Sequence, residues 1–282
     1  MQVINTIIDL RKAVNSWRSA GERIAFVPTM GNLHAGHLKL VEEAKLYTNR
    51  VVVSIFVNPT QFGIGEDFEA YPRTEAEDRQ KLSKIGVDML FLPSVPEMYC
   101  KDALTIISVK SLSNLHCGAS RPGHFDGVAT VVCKLFNMVQ PDAAFFGRKD
   151  FQQLVVIRTM VRDLNIPVEI KSIATVRESS GLAMSSRNGY LSSDELQIAP
   201  KLYHALCTAR DEVVLGEKPY ENIEDEAVAN LNELGFVTDY FNMCKPDDLL
   251  KANKQDAKLV ILAAAKLGRT RLIDNVCFSV AR

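Results

Sequence analysis

The sequence predicts an α/β protein, with a doubly wound, Rossmann-like parallel sheet followed by a smaller α+β domain. Three observations lead there. Near-continuous apolar runs recur at 24–28, 51–57, 89–92 and 143–146, with helical periodicity between them at 37–48 and 74–85; strands buried on both faces and alternating with helices make a parallel sheet. The residues least suited to a scaffold lie at 29–37, 58–63 and 147–153, just past those runs, where such sheets collect ligands. Beyond about residue 175 the pattern changes to a polar connector, helical stretches near 193–215 and 221–234, and strand-like runs at 236–243, 258–265 and 271–280. The expected division is therefore 1–175 for the nucleotide-binding domain and 176–282 for a smaller domain that closes over it.

Composition narrows the function. The chain has 282 residues, 47% of them apolar, and its 33 Lys and Arg nearly balance 34 Asp and Glu. Near-neutrality gives no electrostatic reason for a nucleic-acid or membrane partner, so any basic site must be local. The six cysteines lack the paired spacings of a zinc or redox motif, and no metal-ligand set is expected from the side chains. The N-terminus lacks the pattern of a signal peptide and no apolar run is long enough to span a bilayer, which leads to the expectation of a cytoplasmic protein.

The first run leads into Met30, Gly31, Asn32, Leu33, His34, Ala35, Gly36 and His37. Two histidines three apart at a helix start can face a phosphate held there, where free N–H groups add partial positive charge. A glycine at 36 lets the backbone come close to the ligand. The competing reading, two helix-start histidines without a role, stands until other segments join them. The second run leads to Asn58 and Gln61, an ordinary Pro- and Gly-punctuated turn unless Gln61 serves a ligand bearing hydroxyl and carboxylate groups together. Arg121 and His124 precede the apolar stretch 128–139, and a structural role for them outweighs guidance of an anion.

The fourth run leads to Gly147, Arg148, Lys149 and Asp150. Lys149 can reach a phosphate as a mobile point charge, Asp150 suits a helix cap, and at most one of Gln152 and Gln153 should face the crevice. Met184, Ser185, Ser186 and Arg187 bring two hydroxyls and a guanidinium to a glycine-flanked segment. That segment suits a loop closing over phosphates, or a plain flexible linker.

In combination, PTMGNLHAGH, FVNPTQF with YPRT after it, RPGHF, FGRKDFQQ and GLAMSSRNGYL stand in the order and spacing of the pantothenate synthetase (pantoate–β-alanine ligase) family, which the chain resembles over nearly its whole length. The resemblance implies a two-step ligation: ATP and pantoate give pantoyl adenylate and pyrophosphate, then β-alanine attacks to give pantothenate and AMP. It implies Mg2+ with the ATP phosphates and a homodimer. Carried over by position, Met30 to His37, Gly147 to Asp150, Val176 and Met184 to Arg187 bind ATP. His37 is the implied proton donor with His34 beside it, and Lys149 joins them in catalysis. Gln61 contacts pantoate and β-alanine, and Gln153 contacts pantoate. A positively charged histidine at the α-phosphate is expected to stabilise developing charge.

Two positions depart from the family pattern: Arg148 stands where Glu is usual, and Cys117 where an acidic residue is common. Two alternatives remain open at this point, a nucleotidyltransferase that keeps the nucleotide on its product and a nucleotide-binding remnant without activity.

Overall fold

A computed structural model describes residues 1–63 and 65–280. The chain starts with a three-residue strand, β1 (Gln2–Ile4), and helix α1 (Ile7–Ser19), followed by β2 (Ile24–Thr29), α2 (Ala35–Tyr47), β3 (Arg50–Ile55), α3 (Glu75–Ile85) and β4 (Met89–Phe91). After the short helices α4 (Val95–Met98) and α5 (Cys117–Ser120) come α6 (His124–Val139), β5 (Ala143–Gly147), α7 (Phe151–Asp163) and β6 (Glu169–Ile173). The six strands form one parallel sheet in the order β1-β4-β3-β2-β5-β6.

Alternation along the central strand explains why helices cover both faces. Ile24 and Phe26 of β2 join a cluster with α1, α6 and α7, whereas Ala25 and Val27 join one with α2 and α3. All four residues are fully buried. A strand with both faces covered must be apolar throughout, which is why it reads as an unbroken run. The chain winds one way from β2 to β3 and β4, and the other way to β5 and β6. The turns after β2 and β5 therefore border the crevice where the winding reverses.

The second unit follows with α8 (Ser193–Ile198), α9 (Lys201–Leu215), α10 (Tyr220–Glu233), β7 (Phe236–Cys244), β8 (Lys258–Leu267) and β9 (Thr270–Ser279). Its three strands form an antiparallel sheet in sequence order. Strand β8 is buried on both sides by the same alternation. Leu259, Ile261, Ala263 and Ala265 pack with α9 and α10, whereas Val260 and Leu262 join the cluster that holds Phe146 and Leu154 of the parallel-sheet unit.

The expected fold class is the observed one, with three local differences. The stretch 193–215 divides into α8 and α9 at Pro200, which has no N–H to continue the ladder. Strand β6 was not expected, because its sequence EIKSI mixes charge with apolar residues and it sits half-exposed at the sheet edge. Strand β1 is too short to carry a pattern.

Candidate active site

The turn after β2 is held from behind. Gly31 and Asn32 both take positive φ, at 83° and 50°, and a Cβ on Gly31 would lie 2.9 Å from Ile55. The fully buried Asp78 of α3 accepts the N–H groups of Asn32 and Leu33, each at 2.8 Å. Lys81 donates to the Leu33 carbonyl at 2.8 Å. These contacts turn the backbone of 31–33 toward α3 and leave the next residues to face the crevice.

His34 is the N-cap of α2, its Nδ1 accepting the Gly36 N–H at 3.1 Å. His37, one turn later, accepts the His34 N–H on Nδ1 at 3.4 Å. A ring nitrogen that accepts carries no proton in neutral imidazole, so each ring presents Nε2–H as its donor. The rings lie 4.1 Å apart between centroids. Burial, reinforced by the charge of Lys149, pushes His34 down to about 4; burial together with His34 pushes His37 down to about 3. Both shifts favour the neutral imidazoles.

Across the crevice, a single turn of 3-10 helix at Arg148–Asp150 leads into α7. Lys149 lines the cavity with its side chain 19% exposed, 3.5 Å from Asp150. Burial alone would raise the Asp150 carboxyl, but Lys149, with smaller contributions from His37 and Arg187, holds it below its ordinary value. Arg148 turns the other way, with Nε on the Ser172 hydroxyl at 3.3 Å, and does not line the cavity. Gln152 is buried and spends its amide on Cys117 N–H and the carbonyls of Leu112 and Leu115. Gln153 lines the cavity and the buried Gln152 borders it as well, against the expectation that at most one of the two would.

A third wall is built by Asn58, whose buried amide donates to Gln61 Oε1 and to the Gly127 carbonyl, both at 3.1 Å. Gln61 in turn donates to Met30 Sδ at 3.1 Å. Gly127 lets α6 touch this turn, since a Cβ there would lie 2.4 Å from the Thr60 carbonyl oxygen. His124 donates from Nδ1 to the Gln61 carbonyl at 2.7 Å and accepts from Arg121 on Nε2 at 3.0 Å. Arg121 also makes a two-pronged pair with Glu66, both bonds at 2.6 Å. Its charge is matched within the protein, and both Arg121 and His124 border the cavity.

The serine-bearing segment crosses the opening as a turn of 3-10 helix, Ser186–Tyr190, capped by the Ser185 hydroxyl. Ser186 donates to the Asn32 carbonyl at 3.3 Å, and Arg187 makes two bonds to Asp67, at 2.8 and 2.9 Å. Met184 donates its N–H to the Val176 carbonyl at 3.0 Å.

These walls enclose one cavity of about 810 Å³, within the range of small-molecule sites. Of the residues expected there, Met30, His34, Gly36, His37, Gln61, Gly147, Lys149, Asp150, Gln153, Val176 and Met184 to Arg187 line it. Gly31, Asn32, Leu33, Ala35 and Arg148 do not: the first three face α3, and the Ala35 side chain is exposed. Sequence reasoning missed Asp78 as the anchor of the first turn and passed over Asn58 as the brace of Gln61. Among the described residues no group of three or more His, Cys, Asp or Glu is arranged to hold a metal.

Comparison with known proteins places this geometry. The family model described as Pantoate-beta-alanine ligase matches residues 2–277. A pantothenate synthetase of Alteromonas mediterranea is 55% identical over 98% of this chain and 99% of its own. One from Methylococcus capsulatus is 53% identical over 99% of each. The crystal structure of pantothenate synthetase from Thermus thermophilus superposes with a TM-score of 0.90 at 45% identity, covering 98% of this chain and 99% of that one. That of the Francisella tularensis pantoate-beta-alanine ligase, complexed with beta-gamma ATP and beta-alanine, gives 0.83 at 36% identity over 98% and 97%. With matches spanning essentially the full length of both partners in sequence and in fold, the chain belongs to the pantoate-beta-alanine ligase family.

Proposed function

We propose that this protein joins pantoate to β-alanine at the expense of ATP, through a pantoyl adenylate, releasing pyrophosphate and then AMP. The observation that carries the reading is the meeting of His34 and His37 with Lys149 in a cavity that also presents Gln61 and Gln153. In the first step a pantoate carboxylate oxygen attacks the α-phosphorus and the bond to pyrophosphate breaks. The two Nε2–H donors meet phosphate oxygens, and Lys149 neutralises the charge that develops. Gln61 and Gln153 hold the hydroxy acid in line. In the second step the β-alanine nitrogen attacks the acyl carbon, the bond to the phosphate oxygen breaks, and AMP leaves. No covalent intermediate with the enzyme is involved, so alignment and fixed charges supply the acceleration.

Magnesium bound with ATP would neutralise phosphate charge. Asp150 is an oxygen donor suited to it at the phosphate end, with the phosphates supplying most other ligands. We assign residues 1–175 to ATP and pantoate binding and 176–282 to the domain that closes the cavity. A homodimer is part of the same reading, supported by the apolar side chains of Leu104 and Ile106, 94% and 71% exposed in the single chain. So is a cytoplasmic location, where ATP is supplied and six free thiols stay reduced.

Incubating the purified protein with ATP, pantoate and β-alanine tests the reading by mass spectrometry. Pantothenate and AMP in equal amounts are expected. Pyrophosphate with a stable nucleotide-bearing product would instead identify a nucleotidyltransferase, and no turnover from folded protein a binding remnant.

A further inference from the structure

The turn that carries Lys149 is held from the other sheet. Asn275 of β9 donates its side-chain amide to two consecutive backbone carbonyls, those of Arg148 and Lys149, each at 2.9 Å. The residue is 7% exposed, so the bonds are sheltered from water. An amide NH2 has two donors and a carbonyl two lone pairs, so this fork adds to the helical bonds of the turn without displacing them.

The anchor itself is fixed. Asp274, also buried, accepts the Asn275 N–H at 2.8 Å and a two-pronged bond from Arg177 at 2.6 and 2.9 Å. On its own side the turn is tied at its ends, by the pairing of Gly147 with Ile173 of β6, by the Arg148 side chain on Ser172 and by the entry into α7; the fork from Asn275 is the tie that comes from the other sheet.

We propose that Asn275 is the positioning residue for Lys149: it sets the height of the Lys149 backbone so that the ammonium meets the phosphates, and it makes adenylate formation depend on the small antiparallel sheet. The inference rests on the reading of Lys149 given above. A displacement of about 1 Å at a reacting group costs up to about a hundredfold in rate, so a lost backbone anchor is felt mainly in turnover.

The test is a double-mutant cycle on the full chain, read by pantoate-dependent exchange of labelled pyrophosphate into ATP, with melting temperature as a check on folding. Asn275→Ala is expected to lower kcat about tenfold and leave KM for pantoate within about twofold. Placed on Lys149→Ala, the same change should cost less than about twofold more, because its route of action is already gone. Asn275→Asp, which keeps the shape but sets acceptors against two carbonyls, should be the more severe variant; if packing were the role it would be the milder.

Independent, multiplying effects of the two alanine changes would overturn the inference, as would normal exchange by folded Asn275→Ala. Normal exchange by Lys149→Ala would instead remove the reading of Lys149, and the inference with it.

Discussion

At the scale of single residues, the proposed chemistry asks most of Lys149, which faces the two imidazoles across the cavity. Replacing Lys149 with Ala is expected to cost about 2 kcal/mol of transition-state stabilisation, the scale of one charge-assisted donor, measured as a fall in pyrophosphate exchange. The histidines bear on stability as well. His34, His37 and His124 sit at about 4, 3 and 4 against an ordinary value of 6.5, pushed down chiefly by burial. The unfolded chain therefore binds more protons than the folded one below pH 6.5, and stability falls as pH drops from there toward 4. The slope reaches about 1.4 kcal/mol per pH unit for each histidine. Thermal melts between pH 7 and 4.5 should show that decline, and a melting temperature flat across the range would contradict it. The sequence made His34, His37, Lys149 and Gln153 legible because unusual residue types stood at strand ends. It hid Asp78, which lies among Glu75, Glu77 and other charges at the start of α3 and reads there as decoration of a helix terminus. Only burial separates it from its neighbours.

At the scale of elements, the start of α2 does two things at once. A Cβ on Gly36 would lie 2.9 Å from His34 Cε1 and 3.0 Å from its Nδ1. The glycine therefore makes room for the imidazole as well as for a ligand. In Gly36→Ala the gain in helix propensity, up to about 1 kcal/mol, offsets the loss of a cap worth about 1 kcal/mol. The expected outcome is a melting temperature within a few degrees of the parent with exchange activity reduced about tenfold or more, since the ring must move. A fully active variant would show that the His34 ring position is immaterial. Strands β2 to β5 and helix α2 were legible because burial on both faces or on one face leaves a periodic mark. The serine-bearing segment was legible as part of the cavity wall but not as an anchored one: Asp67 and Asn32, more than a hundred residues away, give it a seat.

For the molecule as a whole, the architecture changes after β6 without a break in the core. Cys244, Leu249, Val260 and Leu262 belong to the same cluster as Phe146, Leu154 and Ile157. A shared core is expected to make the two units unfold together. Calorimetry should show one transition whose van't Hoff and calorimetric enthalpies agree, and two resolved transitions would refute this coupling. Long-range sharing of this kind leaves no local pattern, which is why the sequence shows a change of pattern near residue 175 and not the common core. The margins of the parallel sheet have a further consequence. At one end β1 is three residues long; at the other, β6 carries Glu169 and Lys171 paired with each other, and Arg148 and Arg158 lean on Ser172 beside them. A foreign strand seeking unsatisfied backbone there finds too short a template on one margin and a fence of charges on the other. Crowded copies of this chain are thereby discouraged from zipping into fibrous aggregates along these margins.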